Sequence, residues 1–302
     1  MSCGAGAIAA PAGEAPASEE GVDAAGLVRP ARRPAGWLAP GPPPRRTAER
    51  SAPRAGEDLC HLSGDWRILQ RLDGNRWSLD DLVTAWVAAG EMTVAPPRRV
   101  VDLGCGIGSV LLMMAWRFPE ARVLGVEAQA VSVDLARRSI AWNGIRDRCE
   151  VCLGDLRDRE WQSEAELFDL VTGTPPYLPR GTALESRRVQ SAPCHFEHRG
   201  GVEEYCLAAS ALLAAGGRFV TCAGAAQQGR VEDGAAAAGL RLLRRLEVIP
   251  REGKAPLFCV HVLAAGAAAS AQVAATSLTV RARDGRWTDG FRSLRHDMGL
   301  PA

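Results

Sequence analysis

Apolar positions between residues 78 and 265 alternate between two spacings. In SLDDLVTAWVAAG (78–90), Leu79, Leu82, Val83 and Trp86 recur on one helical face, Ser78 precedes them as an N-cap and acids fill the first turn. RRVVDLG (98–104) is a continuous apolar run stopped by glycine, the pattern of a buried strand. SVLLMMAWRF (109–118) then predicts a helix, ARVLGVE (121–127) a strand, and AVSVDLARRSIAWNG (130–144) a helix closed by Asn-Gly. CEVCLGD (149–155) and LFDLVTG (167–173) predict strands, VEEYCLAASALLAAGG (202–217) a helix with a glycine stop, and RFVTCAG (218–224) a strand. A helix over 225–238 follows, then two strands, RLLRRLEVIP (241–250) and LFCVHVLAA (257–265). Strands separated by helices at this spacing predict an α/β fold of βαβ units around a parallel sheet.

The flanks read differently. Residues 27–56 hold seven Arg, seven Pro and one Glu, a composition that offers little to a core, and 1–56 is expected to be a disordered tail. The domain proper is placed at 57–265, an Ala/Ser linker at 266–276, and a strand, a turn at Asp284-Gly285 and a short helix at 277–302. The chain has 302 residues, 47% of them hydrophobic, and a formal net charge of +1, so no global field advertises nucleic acid and any basic surface must be local. Nine cysteines lie without even spacing, several inside apolar runs, which reads as reduced thiol and not as a disulfide framework. No apolar run reaches the roughly 18 residues needed to span a bilayer, and a secretory leader is not expected. The expected compartment is cytoplasmic; the Arg-rich, acid-poor stretch from 27 onward leaves an organellar address as the alternative.

The first chemistry lies in VVDLGCGIGSV. Gly104, Gly106 and Gly108 sit between a strand and a helix, where glycine lets backbone approach a ligand. Dinucleotide-binding folds share that pattern. Two features narrow it. Asp102, on the strand before the turn, would repel a pyrophosphate and suit an ammonium. Glu127 ends the next strand, the position from which a carboxylate accepts ribose hydroxyls. Asp155, at the end of the third strand, can take an adenine amine, and Leu156 can cover the ring.

VVDLGCGIG, GVEAQ and GDLRD together resemble the motifs of class I S-adenosylmethionine-dependent methyltransferases. The resemblance implies a Rossmann-like, mostly parallel seven-stranded sheet with helices on both faces. It implies that the Asp102–Gly108 turn, Cys105 included, holds the amino-acid part of S-adenosylmethionine, that Glu127 with Ala128 holds the ribose, and that Asp155 with Leu156 holds the adenine.

The second chemistry is the turn Thr174-Pro175-Pro176-Tyr177 at the end of the fourth strand. In this family that place usually carries [Asn/Asp/Ser]-Pro-Pro-[Tyr/Phe/Trp], which implies methylation of a planar amine or amide nitrogen. Such a nitrogen has a delocalised lone pair. A side-chain oxygen at 174 and the Pro175 carbonyl can each accept one N–H and turn the lone pair toward the methyl. Proline fixes φ and offers no competing donor. Tyr177 can stack on the flat substrate, worth roughly 1–3 kcal/mol for a base. Thr174 departs from the pattern, because a hydroxyl is a weaker and shorter acceptor than an amide.

DGNRWSLDDLVTAWVA (73–88) resembles the stretch that precedes the fold in bacterial tRNA adenine methyltransferases acting near the valine anticodon, where it lies over the cofactor. The matched positions Trp77, Ser78 and Asp80 are therefore assigned to the cofactor. The expected substrate is adenine in structured RNA, tRNA first. The alternatives are a glutamine of the release-factor type and an inactive cofactor-binding scaffold. Arg180, Arg187, Arg188 and Arg199 follow the proline turn and could contact phosphates. No metal is expected. Cys194, His195 and His198 lack a second ligand pair, and Cys149 and Cys152 on one strand face opposite sides.

Overall fold

The computed structural model describes residues 26–30, 33–45, 52–158, 161, 167–177, 200–266 and 273–301. A small sheet comes first, β1 (Leu27–Val28) parallel to β2 (Glu57–His61), which pairs antiparallel with β3 (Arg67–Arg71). Helix α1 (Leu79–Glu91) leads into β4 (Arg99–Leu103), α2 (Ser109–Arg117), β5 (Arg122–Glu127), α3 (Ala130–Asn143) and β6 (Cys149–Leu153). Then come β7 (Phe168–Gly173), α4 (Val202–Leu212), β8 (Leu213–Gly224), α5 (Gln228–Ala237), β9 (Leu240–Ile249) and β10 (Phe258–Ala265). The described chain ends with β11 (Ala274–Thr279) and α6 (Asp289–Asp297).

The large sheet has the order β11-β9-β10-β8-β7-β4-β5-β6. Neighbours from β8 to β6 are parallel, β10 runs antiparallel to both β8 and β9, and β11 is parallel to β9. Central strands are apolar on both faces because both are covered. Val100 and Val220 join the core under α1, α2 and α3, while Val101 and Phe219 join the core under α4 and α5. Cys149 and Cys152 divide between the same two clusters. Every residue of α2 from Ser109 to Trp116 is buried, which explains a helix with no polar face. Burial of each large side chain there contributes about 1.5–3 kcal/mol.

The seven expected strands are present, and β11 adds an eighth to the sheet. Part of the supposed linker, 274–276, belongs to that strand, with Thr276 opposite Leu246. The C-terminal segment is integral: Phe291, Leu294 and Met298 are in the core, and Trp86 Nε1 donates to Asp297 at 3.0 Å. The helix expected to run to 217 stops at Leu212, because Leu213 pairs with Phe168.

The expectation of a disordered 1–56 also needs correction where that segment is described. Trp66 Nε1 donates to the Pro42 carbonyl at 2.9 Å, the Arg45 amide donates to the Asn143 carbonyl at 3.0 Å, and a Cβ on Gly41 would come within 2.5 Å of Trp116 Cε2. Proline-rich backbone cannot pair its own donors, but its carbonyls and glycines can still be used by the folded part.

Candidate active site

The glycine turn is built by its neighbours. Gly104, Gly106 and Gly108 have φ of +60°, +55° and +87°, values costly for residues with a Cβ. The Cys105 amide donates to the Val126 carbonyl at 3.0 Å, which ties the turn to β5. A Cβ on Gly104 would overlap the hydroxyl of Tyr205 from α4, whereas one on Gly106 would meet nothing within 4 Å. The backbone at Gly106 is thus open to a cleft that Ile107, Gln129 and Gly154 also line.

Glu127 is buried beside this cavity; Oε2 accepts the Gly106 amide at 3.0 Å and Oε1 the Gln129 amide at 2.7 Å. Ala128, Asp155 and Leu156 line the same space. The Asp155 carboxylate holds Arg157 in a fork, with Oδ1 to Nε at 2.9 Å and Oδ2 to Nη2 at 2.7 Å. Among the described residues the lining contains Asp81, Glu127 and Asp155 but no lysine or arginine, so the cavity suits a cation.

A second cavity adjoins the first and shares Asn75, Asp81 and Thr174 with it. Pro175, Tyr177, Ser78 and Asp80 line it. Tyr177 is fixed at its backbone, where Gln227 Nε2 donates to its carbonyl at 2.6 Å, and its hydroxyl faces Asp80 Oδ2 at 3.5 Å. Burial, with the Asp80 charge added, pushes the Tyr177 phenol well above its ordinary range. Pro176 turns the other way, into the first cavity.

Several expected cofactor residues sit elsewhere. Asp102 does not line the cavity. It lies buried behind the turn, where Oδ2 accepts the Leu111 amide at 3.1 Å and Oδ1 the Thr172 hydroxyl at 2.8 Å. The reason is local: the N-cap of α2 is Gly108, which has no side chain, so the cap comes from the strand. Burial first, with the Glu127 charge added, pushes Asp102 up to about 7. Gly108 serves packing, since a Cβ there would be 3.3 Å from the Ala136 methyl. Trp77 packs half-buried against the core. Ser78 and Asp80 border the second cavity and not the first. Arg180, Arg187, Arg188 and Arg199 lie outside the described residues, as do Cys194, His195 and His198. Among the described residues no group of three or more His, Cys, Asp or Glu is placed to hold a metal ion.

Sequence reading missed Asp81 and Tyr205. Asp81 carried a signal, the Ser-x-x-Asp spacing of a capping box, and its Oδ2 does accept the Ser78 amide at 3.0 Å. Tyr205 carried a weaker one: the chain has two tyrosines, and both stand at this site.

Residues 100–182 match the family model described as a methyltransferase domain. The fold of the chain matches that of a solved structure described as a predicted O-methyltransferase from Agrobacterium tumefaciens, with a TM-score of 0.54, 20% identity, and 74% of this chain and 98% of that one covered. In sequence, the chain is 33% identical over 141 residues to a protein of Porphyromonas gingivalis named tRNA1(Val) (adenine(37)-N6)-methyltransferase, covering 46% of this chain and 54% of that protein. A protein of the same name from Tolumonas auensis is 28% identical over 206 residues, 67% of this chain and 82% of that protein. Proteins named release factor glutamine methyltransferase match as well. The chain spans about half the length of the curated relatives it matches first.

Proposed function

We propose that the chain is an S-adenosylmethionine-dependent N-methyltransferase whose acceptor is the exocyclic nitrogen of an adenine in structured RNA, tRNA before other RNAs. The observation that carries this reading is the junction of the two cavities. One is bounded by the glycine turn and acids, the other by the proline turn and a tyrosine, and they meet at Thr174 and Asp81.

The first cavity fits the cofactor by its chemistry. Gly106 leaves backbone exposed, Glu127 places a carboxylate at the strand end suited to ribose hydroxyls, and Asp155 with Leu156 offers an acid and an apolar cover for a purine. Bound there, S-adenosylmethionine would supply a methyl group on a cationic sulfur, which would keep the C–S bonding pair when the nitrogen takes the methyl. The chain's part is placement. Tyr177 stacks on the flat base, Thr174 and the Pro175 carbonyl take its N–H groups, and the surplus proton leaves to water after attack. Holding the two reactants in line supplies most of the acceleration. An adenine within folded RNA would have to leave its stack to enter. Arg180, Arg187, Arg188 and Arg199 are assigned to phosphate contacts on their charge and their place just after Tyr177 in sequence.

A release-factor glutamine is the second reading, favoured by the relatives of that name, whose match covers 43% of this chain in one case. An inactive cofactor-binding scaffold is the third, kept open by Thr174. Labelled cofactor incubated with unmodified tRNA transcripts and with release factors separates them. N6-methyladenosine in the tRNA supports the proposal, methylglutamine supports the second reading, and cofactor binding with neither product refutes N-methyl transfer to these acceptors.

A further inference from the structure

Asp81 belongs to neither the glycine motif nor the proline motif, yet it borders both cavities. It sits buried in the first turn of α1, and its two oxygens divide their work. Oδ2 takes the Ser78 amide at 3.0 Å, while Oδ1 faces the Thr174 hydroxyl at 3.5 Å. Ser109 at the start of α2 lines the first cavity with it.

Thr174 occupies the place where the resemblance expects Asn, Asp or Ser, most often the amide of Asn. An amide oxygen accepts N–H without preparation. A hydroxyl rotates, and it can present either its proton or its lone pairs. It becomes a reliable acceptor only when its own proton has a fixed destination.

We propose that Asp81 is a positioning residue for the transfer: it accepts the Thr174 hydroxyl proton and so fixes the threonine lone pairs toward the substrate nitrogen. The Asp81–Thr174 pair then does the work of the single side chain usual at the proline turn, and the Pro175 carbonyl takes the second N–H. This inference rests on the N-methyl-transfer reading and concerns how a chain with threonine here retains that chemistry. Burial, followed by the charge of Asp80, pushes Asp81 up to about 8 and so toward its protonated form; a cation bound in the first cavity would shift it toward the ionised, accepting form. The 3.5 Å separation is long for a hydrogen bond, as such contacts are before substrate closes the site.

The test is a double-mutant cycle with Asp81→Ala and Thr174→Asn, using whichever acceptor the wild-type chain methylates. Asp81→Ala should lower kcat about 10- to 100-fold, the range for losing a charge-assisted hydrogen bond, with KM for the acceptor and Kd for S-adenosylhomocysteine within about threefold. Thr174→Asn alone supplies the second background, whatever its own kcat. There the amide needs no orientation, so adding Asp81→Ala should cost less than about fivefold in kcat relative to Thr174→Asn alone. Equal losses in the Thr174 and Thr174→Asn backgrounds overturn the proposal, because a purely structural role for Asp81 is blind to residue 174. If Asp81→Ala does not bind S-adenosylhomocysteine, Asp81→Asn takes its place in the cycle. Its single carbonyl oxygen can replace only one of the two carboxylate oxygens, so kcat should fall with Thr174 present and fall less than about fivefold in the Thr174→Asn background; equal losses in both backgrounds overturn the proposal. A wild-type chain that methylates neither tRNA nor release factor overturns the functional reading and this inference together.

Discussion

Replacing Gly104 and Gly106 by alanine, one at a time, should separate folding from binding within three residues. Both glycines lie at positive φ, +60° and +55°, so each new Cβ carries a conformational cost of about 1–2 kcal/mol. Their surroundings differ. At Gly104 the Cβ would overlap the Tyr205 hydroxyl and lie 3.0 Å from its Cζ, so the ring must leave its seat against β4 and β7. Overpacking of that kind adds about 1–3 kcal/mol. At Gly106 the Cβ enters open space, which is the cavity itself. Urea unfolding at constant slope should therefore place Gly104→Ala about 1–3 kcal/mol below Gly106→Ala. Titration with S-adenosylhomocysteine should show the reverse emphasis, with Gly106→Ala losing at least about tenfold in affinity, equivalent to 1.4 kcal/mol. Tyr205→Phe removes the overlapping oxygen and should return about 1 kcal/mol to Gly104→Ala. Equal stabilities for the two alanine variants, or no coupling to Tyr205, would refute the seating of the tyrosine on the turn.

Three further outcomes are expected. Asp102 and Asp81 are raised by burial from an ordinary 3.8 to about 7 and about 8, so the empty native state holds extra protons. Their contribution to stability is complete below about pH 4 and is lost as pH rises through about 7 to 8; Asp102→Asn should flatten the pH 4–7 part of that decline in urea midpoints, and an unchanged slope would count against a buried Asp102. Tyr177→Ala should reduce kcat/KM by roughly 5- to 150-fold if stacking is worth 1–3 kcal/mol, with S-adenosylhomocysteine affinity nearly unchanged; equal damage to both would make the ring structural. Glu57→Ala removes the fork in which Arg138 Nη1 and Nη2 each meet a Glu57 oxygen at 2.8 Å, leaving Asp134 at 3.3 Å and the Ala52 carbonyl, and should cost about 1.5–3 kcal/mol in thermal or urea unfolding; a cost below about 1 kcal/mol would show the pair to be solvated.

The central domain was legible because its strands are apolar on both faces and its helices carry caps where the chain turns. Hydrophobic counting failed where charge is buried in pairs. In EDLCH and RILQR the inward positions include Glu57, Asp58 and Gln70, all buried, so β2 and β3 show no clean alternation. Asp58 is held there by Arg29 and Arg76, and Glu57 by Arg138, none of them near it in sequence. The helix that overran to 217 shows the converse, an Ala-rich run that local propensity favours as helix and strand pairing claims from Leu213. Within the site, Glu127, Asp155 and the glycine turn were readable from the strand ends that carry them. Asp102 was misread because its partner is a backbone amide on α2, and Asp81 was overlooked because its partner, Thr174, is 93 positions away.

The indole of Trp116 is enclosed by backbone from three distant parts of the chain, Gly41, Gly64 and Gly299, and the Gly64 amide donates to the Gly299 carbonyl at 2.8 Å. A nascent polypeptide emerging from the ribosome cannot seal that tryptophan until position 299 has been made. Packing around this tryptophan therefore waits for the segment that carries Gly299.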